Sequence, residues 1–189
     1  MDSAYNANQY PGYWRFGTGC KASTQTNNAY CYGNLKQTSA TSWTYSIQAK
    51  YLVANQNAIW LVGTRKDRWG PFPLPLDLTP LGVTGCTLYT SIALAIPCRT
   101  DGSGGLNTSG SPLTIPYDPM LRGLSLYSQC ACADPGRAPL PVVFTDGCDN
   151  PLHPNTQPLT RILHNSNDLA TTASHRYLQR GLVVRFGYK

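Results

Sequence analysis

Glutamate is missing from this 189-residue sequence, and all nine acidic residues are aspartate. Charged residues make up only 13% of the chain, about half of the roughly 25% that is usual in soluble domains. Because glutamate favours helices and aspartate does not, this composition argues against long exposed helices and coiled coils. No apolar run approaches the roughly 20 residues of a membrane-spanning helix, so the sequence does not predict an integral membrane protein.

Residue patterns typical of catalytic sites are also missing. The Gly-x-Ser-x-Gly elbow of serine hydrolases does not occur, and the carboxylate pair of glycosidases commonly includes glutamate. The nearest approach to a zinc site, Cys130, Cys132, Cys148 and His153, lacks the spacing of zinc fingers and ribbons. The three histidines stand in polar stretches that we interpret as surface loops: His153, His164 and His175. The sequence therefore predicts a protein that is not an enzyme and that holds no metal or cofactor.

Seven cysteines in a chain with 17 glycines and 15 prolines are typical of an oxidising compartment. We therefore expect an extracellular or cell-surface protein, with a cytoplasmic one as the alternative. Residues 1–6 have neither the basic region nor the apolar region of a signal peptide, so we interpret the sequence as a mature form. Local spacing predicts disulfides that pair Cys20 with Cys31, Cys86 with Cys98, and Cys148 with either Cys130 or Cys132, with one thiol left over.

Short β-type segments separated by turn residues dominate the chain. Residues 43–51 alternate strictly, with Trp43, Tyr45, Ile47, Ala49 and Tyr51 on one face, and the apolar run 58–63 is expected to pair with them. Further strands are predicted at 88–96, 113–115, 124–132, 141–145 and 182–186, with a surface loop at 101–110 and one short helical turn at 118–123. This pattern predicts an all-β fold, an antiparallel two-sheet β-sandwich of jelly-roll type. We expect a single domain over residues 16–189, preceded by an N-terminal extension over residues 1–15.

Three segments resemble a family of secreted, mostly uncharacterised β-sandwich modules of environmental bacteria. The first is Phe16-Gly17-Thr18-Gly19-Cys20, the second runs from Leu74 to Tyr89 and ends in Gly85-Cys86-Thr87-Leu88-Tyr89, and the third runs from Ile115 to Gln129. The resemblance covers about residues 16–132 and implies an extracellular, non-enzymatic structural or surface module without catalytic residues. The sequence departs from the family's pattern in its N-terminal extension, its tail after Cys148, and its additional cysteines at 98, 130, 132 and 148.

Physical reasons can be given for several residues of these segments. Asp77 stands between two leucines, so it either caps a turn or pairs with a buried donor. Tyr89 and Tyr127 are expected to bury their rings and to keep their hydroxyl groups at a polar rim. We interpret these residues as determinants of the fold and not as a site.

Candidate interaction surfaces come from aromatic and basic residues. The net charge is +6, but the cations are scattered except for Arg65, Lys66 and Arg68, which we interpret as a solvated loop. Binding of a polyanion by these three residues is a third functional alternative. Nucleic acid is disfavoured as a partner, because the sequence shows no continuous basic stripe. Exposed aromatic residues are predicted to form an assembly or ligand surface: Tyr5, Tyr10, Tyr13, Trp14 and Trp69. Asn107 starts an Asn-Thr-Ser sequon and is a candidate for glycosylation.

These observations favour a structural function. An aromatic, Asn-rich arm over residues 1–15 is suited to adding a strand to the sheet edge of a neighbouring copy, and such head-to-tail addition builds a fibre. The sequence thus predicts a self-associating subunit of a surface assembly or fibre, whose partner is a further copy of itself. A carbohydrate-binding module, with a polysaccharide as the partner, is the alternative, since β-sandwiches often present aromatic side chains to sugars.

Overall fold

The computed structural model describes residues 14–39, 41–116, 118–121, 124–152, 161–164 and 174–177. For Trp14, Gln37, Pro119 and the last two ranges, only the backbone is described. The chain divides into two compact units, residues 1–153 and residues 154–189. The predicted strand at 182–186 and the residues Tyr5, Tyr10, Tyr13 and His153 lie outside the described residues.

The first unit contains fourteen of the described strands, and the second contains a hairpin of two. In chain order they are β1 (Trp14–Phe16), β2 (Tyr30–Ser39), β3 (Ser42–Lys50), β4 (Asn57–Gly63), β5 (Arg68–Trp69), β6 (Phe72–Pro73), β7 (Leu76–Asp77), β8 (Thr87–Leu88), β9 (Leu94–Arg99), β10 (Leu106–Asn107), β11 (Leu113–Pro116), β12 (Ser125–Ala133), β13 (Val142–Phe144), β14 (Gly147–Pro151), β15 (Arg161–His164) and β16 (Ser174–Tyr177). Single 3-10 turns stand at Thr79–Leu81 and Pro119–Leu121. The second of these is the predicted turn, whereas the first was not predicted. The prediction that His164 and His175 stand in loops is wrong, because they lie in the paired strands β15 and β16.

Two main antiparallel sheets make up the first unit, which confirms the predicted all-β, sandwich-like fold. The six-stranded sheet has the order β1-β14-β12-β4-β9, and β13 also pairs with β12. In the four-stranded sheet, β3 pairs with β2, β10 and β11. Among the described residues, no helix combines the length and the hydropathy that a membrane span requires.

The predicted alternation of β3 is confirmed, apart from its last residue. Trp43, Tyr45, Ile47 and Ala49 are all buried, and of the residues between them Thr44 and Gln48 are half-buried while Ser46 is buried as well. Tyr51 departs from the pattern because the strand ends at Lys50 and the chain turns there through a positive φ of 61°. The ring of Tyr51 instead meets that of Tyr30, at 5.5 Å between centroids.

The predicted pairing of residues 58–63 with the preceding strand is wrong. β4 pairs with β12 on one side and with β9 on the other, in the six-stranded sheet. The connection between β3 and β4 carries two non-glycine residues with positive φ, Tyr51 at 61° and Asn55 at 56°. This connection leads the chain from the four-stranded sheet into the six-stranded one.

β9 is the edge strand at one end of the six-stranded sheet. It is largely exposed, and Pro97 stands near its middle, opposite Ile59 of β4. The predicted strand at 88–96 is divided in the structure, because β8 ends at Leu88 and β9 begins at Leu94. The loop predicted over 101–110 is also more ordered than expected, since Leu106 is buried and pairs with Ala49.

One disulfide joins Cys20 to Cys86, 66 residues apart. The predicted local pairings of Cys20 with Cys31 and of Cys86 with Cys98 are therefore wrong, because the fold brings the two motif cysteines together instead. The five other cysteines carry free thiols, so the predicted bond from Cys148 to Cys130 or Cys132 is also wrong: Cys31, Cys98, Cys130, Cys132 and Cys148. Cys130 and Cys132 are buried on one face of β12, as their spacing predicts.

Removal of this disulfide should lower stability markedly. The double variant Cys20→Ala/Cys86→Ala is expected to lose about 2–4 kcal/mol of the free energy of unfolding, because the unfolded chain regains the freedom of a long loop. Urea denaturation followed by circular dichroism measures the loss. Cys132→Ala is the matched control, since it removes a buried sulfur that forms no disulfide. Equal losses in the two proteins would contradict the prediction.

Candidate functional site

The three motif segments meet at one place in the fold. Besides the Cys20–Cys86 bond, the Tyr89 hydroxyl accepts a hydrogen bond from the Thr18 amide at 3.0 Å and donates one to the Thr18 carbonyl at 3.2 Å. A Cβ on Gly17 would lie 2.3 Å from the Tyr89 ring, which leaves room only for glycine. The Phe16 ring meets those of Tyr89 and Tyr127 edge to face, at 5.9 and 6.1 Å. The motif residues thus support the fold, as the sequence analysis interprets them.

Gln129 completes this junction from the third motif segment. Its Oε1 accepts the Tyr89 amide at 2.9 Å, and its Nε2 donates to the carbonyls of Thr87 at 2.7 Å and of Thr145 at 2.8 Å. Asp77 has a similar local role, because its Oδ1 accepts the Thr79 amide at 2.9 Å and thereby caps the 3-10 turn that follows. That hydrogen bond lowers the pKa of Asp77. Of the two alternatives for Asp77, the turn cap is confirmed.

The N-terminal strand is held to the unit by an arrangement that we call the arm latch, formed by Arg15, Tyr30 and Asp146. β1 pairs along the edge of β14, with Arg15 opposite Cys148. The Arg15 guanidinium donates through Nε and Nη2 to Asp146 Oδ2, both at 2.7 Å, and its Cζ lies 4.3 Å from the Tyr30 ring centroid. Only 3% of the Asp146 side chain is exposed but 44% of the Arg15 side chain is, so water screens this ion pair from the Arg15 side.

Asp146 connects the latch to the rest of the core. Its Oδ1 accepts the backbone amide of Cys31 in β2 at 2.8 Å, while Oδ2 holds Arg15. Burial raises the pKa of Asp146 to about 6, although the Arg15 charge and the Cys31 amide both act in the opposite direction. One buried carboxylate therefore links the arm strand, the six-stranded sheet and the four-stranded sheet.

A second exposed feature is the tryptophan hairpin, residues 65–73, which contains β5 and β6. Trp69 and Phe72 are 38% and 51% exposed, and their ring centroids lie 6.4 Å apart. The basic group predicted here is partly neutralised. Arg65 donates to both oxygens of Asp67, at 2.9 and 2.6 Å, and Arg68 lies 3.7 Å from the same carboxylate. This hairpin can offer an exposed aromatic contact, with the two rings tilted by 39° to each other and part of the basic charge neutralised by Asp67.

Lys66 turns away from that hairpin toward the motif junction. Its Nζ lies 3.4 Å from Asp149 Oδ2 and 5.5 Å from the ring centroids of both Phe16 and Tyr127. The three cations of this segment thus each lie within 4 Å of a carboxylate. Ion pairs of this kind reduce the charge that is available to a polyanion.

The predicted surface residues are not brought together by the described structure. Trp14 lies in β1 and is described by its backbone alone, and Trp69 lies in β5. Asn107 is exposed in β10, and its Oδ1 accepts the Ser109 amide at 2.9 Å. Its glycosylation stays a prediction.

The sequence analysis did not predict the arm latch, because Arg15, Tyr30 and Asp146 are far apart in the chain. The alternation of Cys31, Gly33 and Leu35 with polar neighbours could have revealed β2. That strand would have placed Tyr30 at its beginning.

No family model, curated protein or solved structure matches this chain. Within the ranges that the structure describes, histidine, cysteine and aspartate side chains form no group of three that could hold a metal ion. The geometry of the arm latch and of the tryptophan hairpin is accordingly the basis for a functional proposal.

The raised pKa of Asp146 predicts a specific pH dependence of stability. Between an unfolded pKa of 3.8 and a native pKa of about 6, the native protein binds more protons than the unfolded chain. The contribution of Asp146 to the free energy of unfolding is therefore complete below pH 3.8, and it is lost as the pH rises through the native pKa of about 6. Relative to Asp146→Asn, the wild-type protein should lose about 2 kcal/mol of the free energy of unfolding between about pH 4 and pH 7.

Urea titrations at a series of pH values test this expectation. Asp67→Asn is the control, because Asp67 is exposed and its pKa, lowered chiefly by Arg65 to about 2, lies outside the window. A constant difference between wild type and Asp146→Asn over this pH range would contradict the proposed protonation of Asp146.

Proposed function

We propose that this protein is a non-enzymatic extracellular structural module, which self-associates into a surface assembly or fibre by exchanging its N-terminal arm between copies. The observation that carries the proposal is that the end of the arm is itself a sheet edge strand. β1 covers Trp14–Phe16 and adds to β14 by antiparallel pairing. The same pairing can be made by the arm of a neighbouring copy, because it uses only the edge of β14 and the latch residues.

The link between β1 and the rest of the unit is short and suited to exchange. Gly17 has a positive φ of 72°, and two residues separate it from the disulfide-bonded Cys20. A short hinge next to a fixed point favours domain swapping, since a modest change in the hinge redirects the whole arm. The contacts that the arm would make in a second copy are those of the arm latch, so exchange preserves the ion pair of Arg15 and Asp146.

The polarity of this contact decides the form of the assembly. Each copy has one arm and one receiving edge at β14, and these are different surfaces. An interface of two different surfaces closes into a ring only if its rotation permits, and otherwise continues as a fibre. The extracellular setting rests on the composition and on the disulfide between Cys20 and Cys86.

Deletion of the arm provides the first test. A protein that lacks residues 1–15 should remain folded and monomeric at concentrations where the full chain forms filaments or rings, as judged by light scattering and negative-stain electron microscopy. Unchanged assembly by the shortened protein would refute arm exchange. A full-length chain that stays a monomer over the whole concentration series would refute self-association itself.

The receiving edge can be tested separately with a synthetic peptide of residues 1–16. It should bind the arm-deleted protein, and an Arg15→Ala peptide should bind at least about tenfold more weakly, because it lacks the charged hydrogen bonds to Asp146. Isothermal titration calorimetry measures both affinities. Equal affinities would show that the latch does not contribute to arm binding.

Carbohydrate binding is the second candidate, and the tryptophan hairpin is the observation that favours it. Two exposed rings 6.4 Å apart, Trp69 and Phe72, match the aromatic faces that sugars stack on. Affinity electrophoresis in gels that contain soluble cellulose or chitin derivatives should show retardation of the wild-type protein and its loss in Trp69→Ala. Met120→Ala is the control, since Met120 is 84% exposed and lies outside the hairpin. Equal mobility of wild type and Trp69→Ala in every gel would exclude this site for those polymers.

A further inference from the structure

Two buried thiols face each other across the interior of the first unit. The Sγ of Cys31 in β2 lies 3.5 Å from the Sγ of Cys148 in β14, and neither residue is exposed. β2 belongs to the four-stranded sheet and β14 to the six-stranded one, so this pair spans the two sheets. A disulfide needs about 2.05 Å between its sulfur atoms. Rotation of the two side chains by a modest angle can bring the sulfurs over the remaining distance.

The residues around Cys31 in β2 pack tightly against those around Cys148 in β14. The Cys31 amide donates to Asp146 Oδ1 at 2.8 Å, and the Cys31 Sγ lies 3.3 Å from the Asp146 carbonyl oxygen, two residues before Cys148. Two residues further along β2, a Cβ on Gly33 would come within 2.1 Å of Asn150 Oδ1. The Asn150 side chain thus occupies the space that a larger side chain at position 33 would need, and the tight packing between β2 and β14 suits a short cross-link at position 31.

Of the other three thiols, Cys98 and Cys130 also interact with each other, but their strands do not pair. Cys98 lies opposite Ala58, and Cys130 lies opposite Trp60, on the two sides of β4. Two strand spacings separate these backbones by about 10 Å, which exceeds the reach of a disulfide. The Cys130 thiol donates a hydrogen bond to Cys98, which raises the pKa of Cys130 and lowers that of Cys98. Cys132 lies on the same strand as Cys130 and is also separated from Cys98 by β4.

We propose that Cys31 and Cys148 form a second disulfide, between the two sheets, when the chain folds in the presence of a disulfide oxidant. One thiol loses its proton, and its thiolate attacks the oxidant's sulfur–sulfur bond, which gives a mixed disulfide and one reduced thiol. The second thiolate then displaces the remaining half of the oxidant. Overall, two protein thiols lose two electrons and two protons, and the oxidant is reduced to two thiols.

The order of folding and oxidation decides whether the bond forms. In the folded protein both sulfurs are inaccessible, and the hydrogen bond to Cys148 together with burial raises the pKa of the Cys31 thiol well above its ordinary value. Since the thiolate is the reactive form, the native fold protects the pair from later oxidation. The bond therefore forms before the sheets close over it, or during opening of the unit.

Peptide mapping of the full chain tests the proposal directly. The reduced protein is refolded from denaturant in a mixture of glutathione and glutathione disulfide, alkylated, and digested with trypsin without reduction. Residues 22–36 then carry Cys31 as their only cysteine, and residues 138–161 carry only Cys148. We expect these two peptides as one cross-linked mass that separates on reduction. The cross-link of residues 16–21 to residues 69–99, through Cys20 and Cys86, is the internal control for native refolding.

Stability and matched variants complete the test. Refolded protein with the additional bond should melt at least about 5 °C above protein that carries the Cys20–Cys86 bond alone, because a second long loop is closed. Cys132→Ser should retain the cross-link between peptides 22–36 and 138–161, and Cys31→Ser should lose it. If Cys31→Ser does not fold, the peptide map of the wild-type protein still shows whether Cys31 and Cys148 are cross-linked. Alkylated, unlinked peptides 22–36 and 138–161 from protein that carries the Cys20–Cys86 bond would overturn the proposal. A cross-link from Cys148 to any other cysteine would do the same.

Discussion

The carboxamide of Gln129 is the interaction on which the arrangement of the first unit depends. Its three hydrogen bonds, to the Tyr89 amide and to the carbonyls of Thr87 and Thr145, satisfy backbone groups of two different segments from a single buried side chain. Leaving such groups unpaired in the interior would cost about 1–3 kcal/mol each. The segment between β4 and β9, residues 64–93, is thereby attached to β12. The Cys20–Cys86 disulfide attaches the same segment to the start of the unit.

Asp146 has the corresponding function on the other side of β12. A buried carboxylate is stable only where its oxygens are bonded, and here one oxygen holds the arm strand through Arg15 while the other holds β2 through the Cys31 amide. The same carboxylate therefore stabilises the core and fixes the place where the arm begins. This arrangement explains why a polar sequence such as Thr145-Asp146-Gly147 lies in the interior and not in a loop.

The sequence predicted the elements whose side chains alternate and missed those whose burial depends on distant partners. β3 was visible because apolar or aromatic residues recur at every second position, and β12 because a short β-type run stands between turn residues. β14 was missed because its buried residues include Asp149 and Asn150, which resemble a turn until a partner is known. Disulfide pairing failed for the same reason, since proximity in the chain was the only available criterion and Cys86 lies 66 residues from Cys20. The arm was predicted, whereas the latch that holds it was not.

Pro97 gives the two ends of the six-stranded sheet different chemical properties. At one end, β14 accepts a strand along its edge, as β1 shows. At the other end, β9 carries a residue without a backbone N–H close to its middle, so a strand that approached it would find a donor missing. An exposed edge of six residues is otherwise a template for uncontrolled sheet growth and amyloid-like stacking. A single imino acid thus acts as a safeguard against aggregation for a protein whose opposite edge is built to accept a strand.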